Sequence, residues 1–217
     1  MTGRLVTVDG PGGTGKSTLV ASLAALLAER GERVHATREP SERAIGKFTR
    51  DVVNDLSGLA LACLVAADRY DHVANEIRPQ LEDGATVICD RYVASSLVLQ
   101  RRDEVPLKFL LDLNSQAPAP DLAVILTADP ETIAGRIASR GAHDRFEHDP
   151  LGPARDIAYY ADAADSLIDM GVRVLVLDVS HRTPQDAAEH VALALAVHLG
   201  APAAPPTHAN EESHQHG

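Results

Sequence analysis

A glycine-rich loop near the start of the chain, GPGGTGKST, carries the first residues with a recognisable chemical role. The spacing G-x-x-x-x-G-K-S-T, between an apolar run and an Ala/Leu-rich run, is the Walker A pattern of phosphate-binding loops. Its glycines let backbone N–H groups converge on phosphate oxygens, and the following helix adds its positive N-terminal end. We expect Lys16 to reach the β- and γ-phosphates and Ser17 to ligate Mg²⁺. The predicted triphosphate-binding residues are Gly10, Gly12, Gly13, Thr14, Gly15, Lys16, Ser17 and Thr18.

A second candidate stretch, VICDRY, ends a predicted strand with Asp90, followed directly by Arg91. A carboxylate at the end of a strand beside the phosphate-binding loop can hold Mg²⁺ or its water. Ligands of open α/β sheets bind at this edge, so Arg91 is expected to point into the same cleft. The predicted metal site therefore consists of Ser17 and Asp90.

A fold must position these residues. Along the chain, short apolar runs alternate with longer helical patterns, which predicts alternating strands and helices. Predicted strands are Leu5–Asp9, Arg33–Thr37, Thr86–Asp90, Leu122–Thr127 and Val172–Asp178. Predicted helices are Thr18–Arg30, Leu59–Leu81, Pro130–Arg140 and Asp186–Leu199. The order predicts an α/β fold, a doubly wound five-stranded parallel sheet with helices on both faces. One domain covers residues 1–200, and the Pro/Ala-rich and then polar stretch 201–217 is predicted to be a disordered tail.

Composition and missing motifs exclude several classes of phosphate-binding protein. The chain has 217 residues and a formal net charge of −11, which argues against a general nucleic-acid binder. No NKxD-type base-reading sequence of a GTPase is present, and the signature loop of an ABC-type ATPase is also missing. Small-molecule kinases are the class that remains.

The two cysteines, Cys63 and Cys89, lie in apolar runs without CxxC spacing. We expect both to be reduced core residues. The chain lacks a signal-peptide pattern and any apolar run long enough to span a membrane, so we expect a cytoplasmic protein without a membrane partner.

Four stretches, in order, resemble the thymidylate kinase family of P-loop nucleoside monophosphate kinases. They are TREP (37–40), AADR (66–69) with His72 after it, DRYVASSL (90–97), and a region from Pro120-Asp121-Leu122 to DRFE (144–147). The resemblance runs from about Leu5 to Leu199. It implies a P-loop kinase with a LID at about residues 136–150, with ATP as donor, Mg²⁺ as cofactor and a pyrimidine nucleoside monophosphate as acceptor.

The resemblance also implies residue roles. Arg50 and Arg91 would grip the acceptor 5′-phosphate, and Arg69 with Gln100 would read the base edge. Glu39 would lie near the acceptor or the metal. The acceptor-binding set implied in this way is Glu39, Arg50, Val65, Arg69, Arg91, Ser96, Leu99 and Gln100.

Cations must also cover the transferred phosphoryl group. One branch of the family uses LID arginines and the other an arginine in the phosphate-binding loop, where this chain has Gly13. Arg136, Arg140 and Arg145 are available in the LID region. We expect Arg145 first and Arg140 second to act, so that the catalytic set is Lys16, Arg91, Arg145 and Arg140.

The chain departs from the family at three acceptor-pocket positions. Gly12 stands where the family has an acid that contacts the sugar 3′-hydroxyl, Val65 where it has a stacking Phe, and Leu99 where it has a Tyr. The acceptor is therefore predicted to be dTMP or a modified analogue. The loop also resembles that of cytidylate kinases, so CMP or dCMP is a rival acceptor.

Two further alternatives are a kinase of another small molecule and a non-catalytic nucleotide-binding protein. The retained base-reading pair argues against the first of these. The resemblance makes a homodimer plausible, and the apolar helix at Leu59–Ala67 is a candidate surface, although core packing explains that helix equally well.

Overall fold

The sheet of the computed structural model, which describes residues 3–141, 145–149 and 152–197, has five parallel strands. They are β1 (Arg4–Asp9), β2 (Val34–Arg38), β3 (Thr86–Asp90), β4 (Leu122–Thr127) and β5 (Val174–Asp178). Their order across the sheet is β2-β3-β1-β4-β5. The predicted doubly wound α/β fold is confirmed, and every strand begins and ends within two residues of its predicted bounds.

Helices connect the strands on both faces of this sheet. They are α1 (Lys16–Glu29), α2 (Ala44–Val52), α3 (Gly58–His72), α4 (Arg78–Glu82), α5 (Val93–Arg102), α6 (Leu107–Asn114), α7 (Pro130–Arg140), α8 (Gly152–Asp169) and α9 (Pro184–Val197). A 3₁₀ turn covers Arg145–His148. The helix predicted at 130–140 has the predicted bounds, whereas the predicted end at Leu199 and the tail 201–217 lie outside the described residues.

The long helix predicted at 59–81 is one helical run with a wide turn inside it. A π-helical turn at Val73–Ile77 joins α3 to α4. Pro79 lies just after that turn, and proline has no N–H to donate while its ring crowds the preceding turn. The irregular turn therefore lies on the N-terminal side of the residue that disturbs an α-helix most.

Successive side chains of a strand point to opposite faces of the sheet, so the core has one layer on each face. Leu122, Val124 and Leu126 of β4 pack with α1 and α9 on one face. Ala123 and Ile125 of the same strand pack with α5, α6 and α8 on the other face. Because both faces are covered, the central strands are largely apolar, as expected from the sequence.

One prediction about the core is wrong. Cys89 is buried in β3, but Cys63 is exposed on α3. The run ALACLVAA is helical, so its residues point in all directions around the axis, and Cys63 lies on the side that faces away from the core.

None of the helices within the described ranges combines the length and apolar character that a membrane crossing requires.

Candidate active site

The glycine-rich loop connects β1 to α1 at the carboxyl edge of the sheet. Gly13 and Gly15 have φ angles of 79° and 87°, a left-handed conformation that residues with side chains rarely adopt. Helix α1 begins at Lys16, two residues earlier than predicted, so its free N–H groups open directly into the loop. This geometry is an anion-binding site at a helix N-terminus.

Lys16 is buried beneath this loop. Its Nζ donates hydrogen bonds to the carbonyl oxygens of Gly10 (2.9 Å) and Pro11 (2.8 Å). Burial, together with the positive charge of Arg91, lowers the pKa of Lys16 to about 7, although nearby carboxylates oppose the shift. An anion bound in the loop would favour the protonated form.

The predicted metal residues are in contact. The Ser17 hydroxyl donates a 2.5 Å hydrogen bond to Oδ2 of Asp90. Oδ1 of Asp90 is buried without a hydrogen-bond partner within the described ranges. A hydroxyl and a carboxylate with an unused oxygen suit a hard cation such as Mg²⁺, so these residues fit the metal that the phosphate-binding loop implies.

A second buried carboxylate, Asp9, ends β1 beside them and was not predicted. Its Oδ1 accepts hydrogen bonds from the Tyr92 and Ser95 amides and from the Ser95 hydroxyl. Burial raises the pKa of Asp9 despite these bonds. Asp9 therefore fastens the start of α5 to the end of β1, and its position at a strand end was the signal for it.

A cavity of about 650 Å³ opens above the loop. Cationic side chains from five separate segments converge on it, in a chain whose net charge is −11. These are Lys16, Arg38, Arg50, Arg91 and Arg136. A concentration of positive charge in an acidic protein indicates a local site for a polyanion.

Arg91 reaches this cavity from an unusual backbone conformation. Its φ angle is 68°, which is rare for a residue with a side chain, and its amide donates to Val8 O at 2.9 Å. The turn after β3 is thus held against β1 and directs Arg91 into the cleft. Arg50, on α2, bonds the carbonyl oxygens of Pro40 and Ser41, which places it on the opposite wall.

A second pocket, of about 90 Å³, adjoins the large cavity. The sequence-predicted acceptor residues line it or the large cavity: Glu39, Arg50, Val65, Arg69, Arg91, Ser96, Leu99 and Gln100. The structure thus brings together residues from α2, α3, α5 and two strand ends, which are distant in sequence.

Arg69 is 1% exposed and lies against this pocket. Its guanidinium donates to Glu39 (2.8 Å), to Ser96 (3.0 Å), to the Tyr92 carbonyl (3.0 Å) and to Asn114. These bonds fix the plane of the guanidinium and hold the Glu39 carboxylate. Its role in reading a base stays a prediction, and a base edge would share donors that already have protein partners.

The imidazole of His72 lies beside the Glu39 carboxylate and helps to hold it in place. The two side chains lie 3.4 Å apart, and the other ring nitrogen of His72 lies 2.8 Å from the Thr37 hydroxyl. Burial opposes protonation, but the hydrogen bond and the negative charge of Glu39 outweigh it and raise the pKa of His72.

Gln100 carries the most direct sign of a ligand in the small pocket. Its side chain is buried, and Oε1 has no hydrogen-bond partner among the residues that the structure describes. Buried polar atoms almost always have a hydrogen-bond partner, so we expect a bound molecule to donate a hydrogen bond to this oxygen.

Phe146, which the sequence analysis did not assign to the pocket, also lines it. Its ring comes from the 3₁₀ turn at Arg145–His148, far in sequence from Val65 and Leu99. The aromatic wall that seemed lost at those two positions is present from another segment. The DRFE stretch was a signal for the LID, but nothing in it predicted that the ring would enter this pocket.

A third cavity, of about 280 Å³, lies on the far side of the loop. Thr14, Gly15 and Thr18 line it together with Arg136 and Arg182. Arg136 donates to the carbonyl oxygens of Gly13 (3.5 Å) and Val179 (3.3 Å), so it bridges the loop and the segment after β5. Arg182 was not among the predicted site residues.

The side chains of Arg140 and Arg145 lie outside what the structure describes. Their assignment to the transferred phosphoryl group stays a prediction.

Comparisons with known proteins agree with this geometry. Residues 8–185 match the family model described as thymidylate kinase. A probable thymidylate kinase of Pyrobaculum aerophilum is 37% identical over 86% of this chain and 93% of its own length. A thymidylate kinase of Deinococcus radiodurans is 34% identical over the same shares of the two chains. The solved thymidylate kinase of Candida albicans superposes with a TM-score of 0.76, at 23% identity, over 90% of this chain and 92% of its own.

Proposed function

This chain belongs to the thymidylate kinase family, a family of nucleoside monophosphate kinases, and we propose that it transfers the γ-phosphoryl group of ATP to the 5′-phosphate of dTMP. The donor would bind across the glycine-rich loop with its base in the 280 Å³ cavity. The acceptor base would enter the 90 Å³ pocket, and both phosphate groups would meet in the 650 Å³ cavity.

The observation that carries the choice of acceptor is the pair of Gln100 and Arg69. Oε1 of Gln100 is a buried acceptor without a partner within the described ranges, and a base beside the Arg69 guanidinium could share donors that also bond protein groups. Thymine offers the matching pattern, an N3–H donor next to the O4 acceptor. Cytosine would present an N3 acceptor and a 4-amino donor, so it would face like groups. This pattern favours dTMP over CMP or dCMP.

The aromatic wall supports dTMP itself over a modified analogue. With Phe146 in the pocket, the changes at Val65 and Leu99 do not leave the base without a ring beside it.

Transfer needs no side-chain nucleophile, because the acceptor phosphate oxygen is already anionic. That oxygen attacks the γ-phosphorus, and the bond from phosphorus to the bridging β,γ-oxygen breaks, which gives dTDP and ADP. Lys16 would hold the donor phosphates, while Arg91 and Arg50 would bring the acceptor phosphate into line. Arg145 and then Arg140 are proposed to cover the transferred group. Mg²⁺ held by Ser17 and Asp90 would neutralise charge on the donor phosphates.

A panel of acceptors tests this proposal. Purified protein with Mg-ATP is assayed for ADP release against dTMP, dUMP, CMP, dCMP and no acceptor. We expect dTMP and dUMP to be turned over and both cytosine nucleotides to be poorer by at least about tenfold, the cost of a mispaired buried hydrogen bond. A preference for dCMP, or ADP release that no acceptor increases, would reject the assignment.

The homodimer, the cytoplasmic location and the lack of a nucleic-acid partner stay predictions. Leu59, which is 55% exposed, and Cys63 lie one turn apart on α3 and form part of an apolar surface. This surface supports the predicted dimer contact.

A further inference from the structure

Three buried side chains with metal-ligating atoms meet beside the acceptor pocket. They are Glu39 just after β2, His72 at the end of α3 and Cys89 in β3. The carboxylate, imidazole and thiol each offer one ligand atom, and these atoms lie within 4.8 Å of one another. Glu39 also lines both the 650 Å³ cavity and the 90 Å³ pocket, so an ion can reach the cluster from the cleft.

The ring of His72 is oriented by its hydrogen bonds. The Thr37 hydroxyl donates to Oε1 of Glu76 at 2.7 Å, so its oxygen accepts from Nε2–H of His72, 2.8 Å away. The lone pair of the neutral imidazole is therefore on Nδ1, which faces Oε1 of Glu39 at 3.4 Å. Two acceptor atoms that face each other favour a cation between them, either a shared proton or a metal ion. Metal-bound histidines commonly have this arrangement, with the other ring nitrogen donating to an oxygen.

The Glu39 carboxylate can serve a second partner. Oε2 accepts from Nε of Arg69 at 2.8 Å, whereas Oε1 is the atom that faces His72. A metal ion on Oε1 therefore leaves the ion pair with Arg69 in place. An oxygen, an imidazole nitrogen and a sulfur suit Zn²⁺, whereas Mg²⁺ prefers oxygen ligands alone. Bonds of about 2.0 to 2.3 Å in a tetrahedral zinc site put the ligand atoms about 3.5 Å apart, so side-chain shifts on the order of 1 Å complete the site.

Cys89 connects this cluster to the residue that faces the phosphates. Its Sγ donates a hydrogen bond to the carbonyl oxygen of Arg91 at 3.1 Å, within the turn where Arg91 has a φ angle of 68°. A metal ion would replace the thiol proton: the S–H bond breaks, the proton goes to solvent, and a sulfur lone pair forms the bond to the ion. The thiolate then has no hydrogen to donate, so the turn loses this bond.

We propose that Glu39, His72 and Cys89 form a binding site for Zn²⁺ or another thiolate-binding divalent ion, separate from the predicted Mg²⁺ site. The bound ion inhibits phosphoryl transfer, because it disturbs the turn that directs Arg91 into the cleft. Three protein ligands leave the fourth position of a tetrahedral ion to water. The site itself rests on the geometry of the three side chains, whereas its inhibitory effect rests on the proposed function.

Binding is tested on the full chain with Cd²⁺, whose bonds to thiolates give an ultraviolet charge-transfer band. We expect the band in the wild type and in Cys63→Ser, which removes the exposed cysteine, and no band in Cys89→Ser. Histidines in the stretch 201–217 cannot give this band. A wild type without the band, or a band that survives in Cys89→Ser, would overturn the site.

X-ray absorption of the wild type with one equivalent of Zn²⁺ tests the same site without a substitution. We expect a single sulfur together with nitrogen and oxygen ligands, and a ligand set without sulfur would contradict the proposal. His72→Gln should lower the affinity for Cd²⁺ by at least about tenfold, since even the loss of a group that only supports a metal ligand costs about 10- to 100-fold. Unchanged affinity in this variant would exclude His72 as a ligand.

Inhibition is measured in kinase assays with excess Mg-ATP and dTMP at increasing Zn²⁺. The concentration of Zn²⁺ that halves activity should be at least about tenfold higher in Cys89→Ser than in the wild type or in Cys63→Ser. A chelator should restore the activity. Zn²⁺ that binds ATP or replaces Mg²⁺ inhibits all three proteins alike, so equal inhibition would reject the inhibitory role. If the wild type has no kinase activity, the proposed function fails, and the Cd²⁺ band still tests the site.

Discussion

Among single residues, Lys16 is a side chain whose charge depends strongly on its surroundings. Burial and Arg91 together lower its pKa to about 7, whereas an exposed lysine titrates near 10.5. A bound triphosphate brings negative charge to Nζ and should raise that pKa again. Binding of the donor is therefore coupled to protonation.

The coupling predicts a pH dependence with a definite sign. Above pH 7 the free protein carries Lys16 partly neutral, so ATP binding must take up a proton, and ATP affinity should fall as pH rises from 7 to 9. Calorimetry at pH 8 in two buffers of different ionisation enthalpy measures this uptake. We expect between about half a proton and one proton per ATP.

Lys16→Arg provides the control, because a guanidinium stays protonated throughout this range. The variant should lose the proton uptake even if it binds ATP less tightly. Equal uptake in the wild type and in Lys16→Arg would assign the proton to another group.

At the level of elements, Arg102 at the end of α5 contacts both α8, through Asp156, and the 3₁₀ turn that carries Phe146 and Glu147. Both oxygens of Asp156 accept from Nη1 of Arg102 at 3.1 Å, and Asp149 lies 3.5 Å from Nη2. The Arg102 guanidinium also lies 5.2 Å from the centre of the Phe146 ring. Burial raises the pKa of Asp156 to about 6, although Arg102 opposes the shift.

Arg102→Met should therefore destabilise the protein by about 3 kcal/mol at pH 7, because removal of one partner leaves a buried carboxylate unpaired. The raised pKa of Asp156 sets the sign of the pH effect. At pH 5 this carboxyl is mostly protonated in the folded protein, so the loss should be smaller there than at pH 7. Urea unfolding at both pH values measures the two differences.

Arg33→Met is the matched control, because the pair of Arg33 with Asp83 is about 60% exposed on both sides. It should cost less than about 1 kcal/mol at either pH. A cost for Arg102→Met that is no larger than the control would show that the Arg102–Asp156 pair does not stabilise the contact between α5 and α8.

For the whole molecule, the strands and the phosphate-binding loop could be predicted because local sequence patterns specify them. Apolar runs between glycine and proline signals placed the five strands, and the Walker A spacing placed Lys16 and Ser17 at the carboxyl edge of the sheet. It did not predict α5, whose buried side includes the polar residues Ser95, Ser96 and Gln100. Polar residues that face a substrate interrupt the repeat of apolar residues by which a helix is recognised in a sequence.

The rest depends on contacts between distant segments. No local pattern shows that Phe146 enters a pocket with Val65 and Leu99, or that Glu147 fills the space beside Gly12. Phe146 and Glu147 are more than a hundred positions from the loop, and the packed fold brings them to it. The departures at Gly12, Val65 and Leu99 suggested a depleted pocket, yet the described structure supplies a ring and a carboxylate from the LID turn.

The most direct test of the proposed reaction follows the phosphoryl group itself. ATP labelled at the γ-phosphate is incubated with the protein, Mg²⁺ and dTMP, and the labelled products are separated. We predict that the label appears in dTDP in a one-to-one ratio with ADP, and that Arg91→Ala abolishes the transfer. Label released as inorganic phosphate, or retained in ATP while dTMP is present in excess, would contradict the account.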